Sequence, residues 1–260
     1  MADAPPPRIG VRFATGERGT VATLTVDNRK KLNTLDSALM RAFIGEVEAL
    51  GKRDDLRVLV LTGAGERAFI GGANIDEMAK FDHASAERFI TLLHRCCDCL
   101  RQLPVPVIAR IDGYALGGGL EVAVSCDLRV ATTRAKFGMP EVKVGLPSVI
   151  EAALIPQLIG WGRTRELLYT GETIDAETAL RWGLVERVVP PEQLDREVEK
   201  LVSSLLAAGP HAVRSQKRLM QEWEKLPTDR AIAAGIEALV RSLDTDEPKR
   251  LLGAFLNRKR

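Results

Sequence analysis

Glu121 and Glu141 lie twenty positions apart, each in a glycine-marked setting, Gly117-Gly118-Gly119-Leu120-Glu121 and Gly138-Met139-Pro140-Glu141. Two carboxylates held near one another can divide a proton, one giving while the other takes. Glycine removes the side chain wherever a ligand or a second backbone must come close. A further glycine turn, Gly71-Gly72-Ala73, completes the pattern. Both glycine turns follow apolar segments that read as core strands, and both leave backbone N–H groups unobstructed. Two such N–H groups aimed at one point stabilise an oxyanion. The turn at Gly117 opens a short helix, whose free N–H groups and dipole favour negative charge. The blander alternatives are close-packing turns between layers and, for Glu141, a surface carboxylate after a proline turn.

Other chemistries are poorly served. Gly63-Ala64-Gly65-Glu66-Arg67-Ala68 matches the dinucleotide pattern Gly-x-Gly-x-x-Ala, but that pattern must open a helix, and Phe69-Ile70-Gly71-Gly72 follows instead. No Gly-Lys-Ser/Thr follows the glycine run as a phosphate loop requires, and no Gly-x-Ser-x-Gly offers a serine nucleophile. Cys96, Cys97 and Cys99 crowd one helix, which reads as buried thiols rather than a disulfide framework or a zinc site. His83, His94 and His211 are scattered and form no evident cluster with an acid. The expectation is an enzyme with no metal and no redox cofactor.

The elements that must position these residues follow from periodicity. Residues 9–26 alternate apolar and polar around Gly16-Glu17-Arg18-Gly19, a β-hairpin. Asp36 is an N-cap for a helix over 37–50. Val58-Leu59-Val60-Leu61 and 107–111 read as strands buried on both faces, with a helix over 85–103 between them. A short helix carries 120–126, and 128–131 is the next strand. The repeated strand–helix–strand order predicts stacked parallel units. From Pro191 onward only helices are expected, over 194–206, 211–223, 229–243 and 247–256.

Composition sets the outer limits. At 260 residues, 45% apolar and 28% charged, the chain is an ordinary globular protein with one large core and an appendage. A net charge of +2 gives no case for nucleic-acid binding. No apolar run approaches the roughly 20 residues of a membrane helix. The opening Met-Ala-Asp-Ala-Pro-Pro-Pro lacks the features of a secretory signal, so a cytoplasmic address is expected.

Three segments resemble signatures of the crotonase (enoyl-CoA hydratase/isomerase) superfamily. They are Phe69-Ile70-Gly71-Gly72-Ala73-Asn74-Ile75, the stretch from Asp112 through Gly113-Tyr114-Ala115-Leu116 to Glu121, and Lys136-Phe137-Gly138-Met139-Pro140-Glu141. Lys31-Leu32-Asn33-Thr34-Leu35, Thr170-Gly171, Gly183-Leu184-Val185 and Ala254-Phe255 add to the resemblance, which spans about 9–258. It implies an α/β fold, a spiral of repeated ββα units over 1–190 that carries the acyl-CoA site. A helical C-terminal region over 191–260 would serve trimerisation and part of the CoA site. The implied partner is an acyl-CoA thioester, and the implied assembly is a homotrimer or a dimer of trimers.

The resemblance also implies residue roles. The Ala73 and Gly118 N–H groups would form the oxyanion hole, and Glu121 and Glu141 would hold the water, with Glu121 as base and Glu141 as acid. Lys31, Gly71, Ile75, Gly117, Ser148, Glu151, Phe255 and Arg258 would contact the substrate. Having both glutamates favours hydration of a 2-enoyl-CoA. An isomerase moving a proton between C2 and C4 through Glu141, a dehydratase, and a catalytically silent scaffold are the alternatives.

The chain departs from the pattern at Asn74, where the family often has Asp, and at Pro147-Ser148-Val149-Ile150-Glu151-Ala152, which replaces a glycine-rich stretch. Val149 and Ile150 are expected to narrow the acyl pocket, with Ser148 and Glu151 adding polar groups. For Glu151 three readings stand: a helix N-cap, a solvent-facing charge, or a third carboxylate beside the pair.

Overall fold

The computed structural model describes residues 6–257. The chain opens with β1 (Arg8–Gly16) and β2 (Gly19–Asp27), an antiparallel hairpin in full register from Arg8–Asp27 to Gly16–Gly19. A helix α1 (Ser37–Gly51) follows, capped where Asp36 Oδ1 accepts from Leu39 N at 2.8 Å. Leu39, Met40, Phe43, Ile44, Val47 and Leu50 recur at helical spacing and are all buried.

Next come β3 (Leu56–Gly63), β4 (Ala68–Ile70), a single turn α2 (Ile75–Met78) and the long α3 (His83–Gln102). The α3 helix begins two residues earlier than its apolar pattern predicts. Asp82 and Ser85 form a reciprocal capping box, which fixes the start at the polar residues rather than the first apolar one.

The next strands arrive in pairs: β5 (Val107–Ile111) with β6 (Tyr114–Leu116), then α4 (Gly118–Val124), then β7 (Leu128–Thr132) with β8 (Lys136–Gly138). After two 3-10 segments, Pro140–Val144 and Ile150–Leu154, the chain forms α5 (Ile155–Thr170), β9 (Thr173–Asp175), α6 (Ala176–Trp182) and β10 (Arg187–Val189). Four helices close the described residues: α7 (Leu194–Ala207), α8 (Pro210–Trp223), α9 (Thr228–Ser242) and α10 (Glu247–Asn257).

Strands β3, β5 and β7 lie side by side and parallel in a six-stranded sheet of order β1-β2-β3-β5-β7-β10. Their short successors β4, β6 and β8 lie side by side and parallel in a second sheet of order β4-β6-β8-β9. Each unit is thus a long strand, a short strand and a helix, stacked on the one before. The short strands are absent from the sequence reading because three residues hold no period. The main core packs one face of the large sheet against α1 and α3, while Leu194, Val198 and Val202 of α7 cover Val58, Val60, Ile108 and Val130 on the other.

The stacking brings three segments to one edge. The chain leaves β4 into Gly71-Gly72-Ala73, leaves β6 into Gly117-Gly118-Gly119, and leaves β8 into Met139-Pro140-Glu141. Neighbouring strands lie about 4.8 Å apart, so the carboxyl ends of three adjacent parallel strands deliver three turns to one place, where open α/β sheets bind ligands.

Two glycines hold α4 in position. Gly117 has φ 51° and ψ −126°, a conformation that only glycine adopts comfortably, and a Cβ there would strike the Glu141 carboxylate. At Gly119 a Cβ would land on the Ile70 carbonyl oxygen at the end of β4. Gly119→Ala is therefore expected to cost about 1 to 3 kcal/mol by overpacking. The check is urea unfolding, where an unchanged midpoint would show that α4 does not rest on β4.

Candidate active site

Backbone bonds fix the first turn from behind. Leu32 O accepts from Gly71 N at 2.8 Å, Leu35 N donates to Gly72 O at 2.9 Å, and Leu35 O accepts from Asn74 N at 2.8 Å. The bridge between Leu35 and Ala73 is thus made through the neighbours of Ala73, which turns the Ala73 N–H to the opposite side. Buried Asn33 braces the same region, accepting from Asn28 N and donating to Ala64 O and Ala68 O. The departure at Asn74 is accommodated as a cap: its side-chain oxygen accepts from Asp76 N and Glu77 N.

The second turn is the start of α4. Leu120 N and Glu121 N donate back to Gly117 O, and the Gly118 N–H, first in the helix, has no intrahelical acceptor. Ala73 and Gly118 line one cavity of about 270 Å³, together with Glu121 and Glu141. Its apolar wall comes from Met78, Phe81, Phe89, Ile90 and Leu93, and its far side from Leu146, Pro147 and Val149. Two free amide donors and two carboxylates around an apolar space can stabilise a developing oxyanion and move protons beside it.

The carboxylates are held by different means. Glu121, one turn into α4, is 3% exposed, and its Oε1 accepts from Ala152 N at 3.2 Å. Glu141, in the 3-10 segment after β8, is half-buried, and its Oε2 accepts from Ser148 Oγ at 2.9 Å. Burial pushes the Glu121 carboxyl up to about 8, with the charges of Glu141 and Glu151 adding to the rise. Glu141 is raised as well, by burial. Neither carboxylate can easily ionise beside the other, so near neutral pH the pair retains a proton.

Other expected contacts fall in several places. Gly71 packs against the Leu32 carbonyl, where a Cβ would come within 2.7 Å of the oxygen. Lys31 Nζ sits 2.5 Å from Asp76 Oδ2 in an exposed ion pair, and Ile75 beside it is 67% exposed. Phe255 lies on α10 and does not line this cavity. Arg258 lies outside the described residues.

Three expectations need correction. Ile150 does not narrow the pocket: it turns with φ 41° and packs on the main core, leaving Val149 to line the cavity. Glu151 is not a solvent-facing charge: it is 7% exposed and lies in the first turn of the 3-10 segment Ile150–Leu154, with no side-chain capping bond there or at α5. His94 does pair with an acid, since its Nδ1 lies 2.8 Å from Glu151 Oε1. Residues 57 positions apart carry no sequence signal of such a meeting.

Among the described residues no group of three or more His, Cys, Asp or Glu could hold a metal ion. No helix there is long and apolar enough to cross a membrane. The four cysteines are free thiols, three buried and Cys99 partly so.

Stacked ββα units of this kind make the crotonase fold. The enoyl-CoA hydratase/isomerase family model matches residues 16–260, and the chain belongs to that family. It is 34% identical to a short-chain-enoyl-CoA hydratase of Clostridium acetobutylicum, over 94% of each chain. It is also 34% identical to a crotonyl-CoA hydratase of Syntrophomonas wolfei, over 92% of this chain and 93% of that one. The crystal structure of an enoyl-CoA hydratase from Bacillus anthracis superposes with a TM-score of 0.92 at 31% identity, covering 96% of both chains.

Burial of Glu121 has a consequence for stability. The folded protein keeps the Glu121 proton up to about pH 8, whereas the unfolded chain releases it near the ordinary 4.5. The neutral carboxyl's contribution is full below 4.5 and is lost as pH rises through 8. Glu121→Gln keeps an acceptor for Ala152 N and cannot ionise. Relative to wild type it should gain about 1 to 3 kcal/mol between pH 5 and pH 9. Urea midpoints of both proteins at the two pH values test this, and an equal offset at both would refute it.

Proposed function

We propose that this protein is an enoyl-CoA hydratase that adds water across the C2=C3 bond of a 2-enoyl-CoA thioester. The carrying observation is that Ala73, Gly118, Glu121 and Glu141 surround one apolar cavity. The thioester carbonyl accepts from the Ala73 and Gly118 N–H groups, which stabilise the enolate-like state as water adds. Such a donor is worth roughly 3 to 4 kcal/mol where one has been removed elsewhere. Water adds its oxygen to C3 and gives a proton to the ionised member of the Glu121–Glu141 pair, while the protonated member gives a proton to C2. The two roles belong to a pair that shares a proton, and the stronger rise at Glu121 rests that proton there. The base role expected for Glu121 therefore requires its proton to pass to Glu141 as water and substrate enter.

The reaction needs no cofactor of the protein's own, since CoA is carried by the substrate. A cavity of about 270 Å³ walled by Phe81, Phe89 and Val149 fits a short acyl chain and agrees with the names of the two hydratase relatives. Lys31, Ile75, Phe255 and Arg258 are assigned to the CoA portion outside the cavity. The division at 190 makes the later helices an assembly region. Ile232, Ile236, Leu239 and Val240 form one apolar face of α9, continued by Leu243 at its C-cap, each more than 60% exposed in the single chain. A stripe of that kind fits burial between copies in a homotrimer or a dimer of trimers. The setting assigned to the enzyme is the cytoplasm.

Loss of enoyl absorbance with crotonyl-CoA and longer 2-enoyl-CoAs tests the activity directly. Glu121→Gln and Glu141→Gln should each lower kcat by about 10²-fold or more. The double variant should lose far less than the product of the two, because the pair acts as a unit. Near-wild-type turnover in either single variant would remove that residue from the chemistry.

A further inference from the structure

Behind the cavity wall stands a third carboxylate with an unusual set of partners. Glu151 is 7% exposed; its Oε1 lies 2.8 Å from His94 Nδ1, and its Oε2 is buried with no hydrogen-bond partner among the described residues. A buried carboxylate oxygen without a donor is costly, and structures that keep one usually have a use for the charge.

The backbone adds a second observation. Ile150, immediately before Glu151, holds φ 41°, a left-handed conformation that a β-branched side chain resists at a cost of about 1 to 3 kcal/mol. The twist turns the next two residues inward together. Ala152 presents its N–H to Glu121 Oε1, and Glu151 brings its carboxylate into the electrostatic field of Glu121. His94 sits at the other end, with half of its side chain in solvent.

We propose that Glu151, tethered to the surface by His94, is a positioning residue of the active site that acts through Glu121, keeping the catalytic proton on it. The inference rests on the hydratase reading above. In that reaction the pair must begin each turnover with one proton. A negative charge behind Glu121 disfavours its ionisation, and the hydrogen-bond contact with His94 holds that carboxylate in place.

The other groups facing this cluster are few. Glu121 approaches from α4, Cys97 and His94 from α3, and Glu141 acts on Glu121 from the segment after β8. Burial raises the Cys97 thiol well above its ordinary value, so it stays neutral. Exposed Glu87 of α3 stands at the cavity wall. The α5 helix, continuing from the segment, brings no ionisable side chain before Arg163.

The test compares Glu151→Gln, Glu151→Asp and His94→Gln with wild type by two readouts. One is the alkaline limb of the pH profile of kcat/KM. The other is direct titration of the Glu121 carboxyl in substrate-free protein carrying ¹³C-labelled glutamate, assigned by its loss in Glu121→Gln. Glu151→Gln should move both to lower pH by a fraction of a unit. Glu151→Asp should leave them near wild type, and His94→Gln, which releases the carboxylate from its tether, should move them to lower pH by less than Glu151→Gln does. If Glu151→Gln leaves both in place and only lowers the melting temperature, the residue is structural and the proposal fails. Readouts that stay in place in His94→Gln overturn the tethering role of the imidazole. Should Glu151→Gln not fold, the presence or absence of the His94→Gln shift decides. The carboxyl titration needs no turnover, so a protein inert toward enoyl-CoAs refutes the hydratase reading while this measurement still judges Glu151.

Discussion

Three short parallel strands ending side by side are the constraint on which the site depends. Strands β4, β6 and β8 are three residues each; β6 and β8 pair in register from Tyr114–Lys136 to Leu116–Gly138, and β4 joins β6 at Ala68–Tyr114 and Ile70–Ala115 with a register shift between. Their spacing is set by hydrogen-bond length rather than by side chains. The turns that follow therefore arrive at a separation the backbone dictates. The contact of Gly119 with the Ile70 carbonyl then sets how closely α4 can approach β4. Without that approach the Ala73 and Gly118 amides would not face one cavity, and Glu121 would not meet Glu141 across it.

Positioning by backbone suits the chemistry assigned to the site. An oxyanion forms and disappears during turnover, and donors that need not move stabilise it without reorganisation. The amides are held by bonds made elsewhere: Leu32 and Leu35 hold the first turn, and Gly138 O, accepting from Gly117 N at 2.9 Å, holds the second. The N–H groups left over are those with no internal use.

The same enclosure governs the acids. Phe81, Phe89, Ile90 and Leu93 keep water away from Glu121 and Glu141, and a carboxyl in such surroundings favours its neutral form. Each further negative charge strengthens that preference. Glu151 is placed to supply one from behind the wall, with its link to solvent running through a single exposed histidine.

Local chemistry in the sequence was enough for the larger elements and the outline of the site. The hairpin, the Asp36 cap, the two buried strands and the four C-terminal helices each carry a period or a cap long enough to read. Glu121 and Glu141 stood out because glycine beside a carboxylate has few structural uses. Five strands of three residues were beyond periodicity, and with four of them the second sheet that aligns the turns. Where Glu151 points was also left to the tertiary structure. Its partners, His94 on α3 and Glu121 on α4, come from segments remote in the chain, and the left-handed turn at Ile150 that brings it to them has no glycine to announce it. Sequence determined which groups could do the chemistry, because residue type and local spacing are enough for that. Distance, burial and shared charge were decided only by the fold, because each is a relation between parts of the chain that sequence neighbours do not contain.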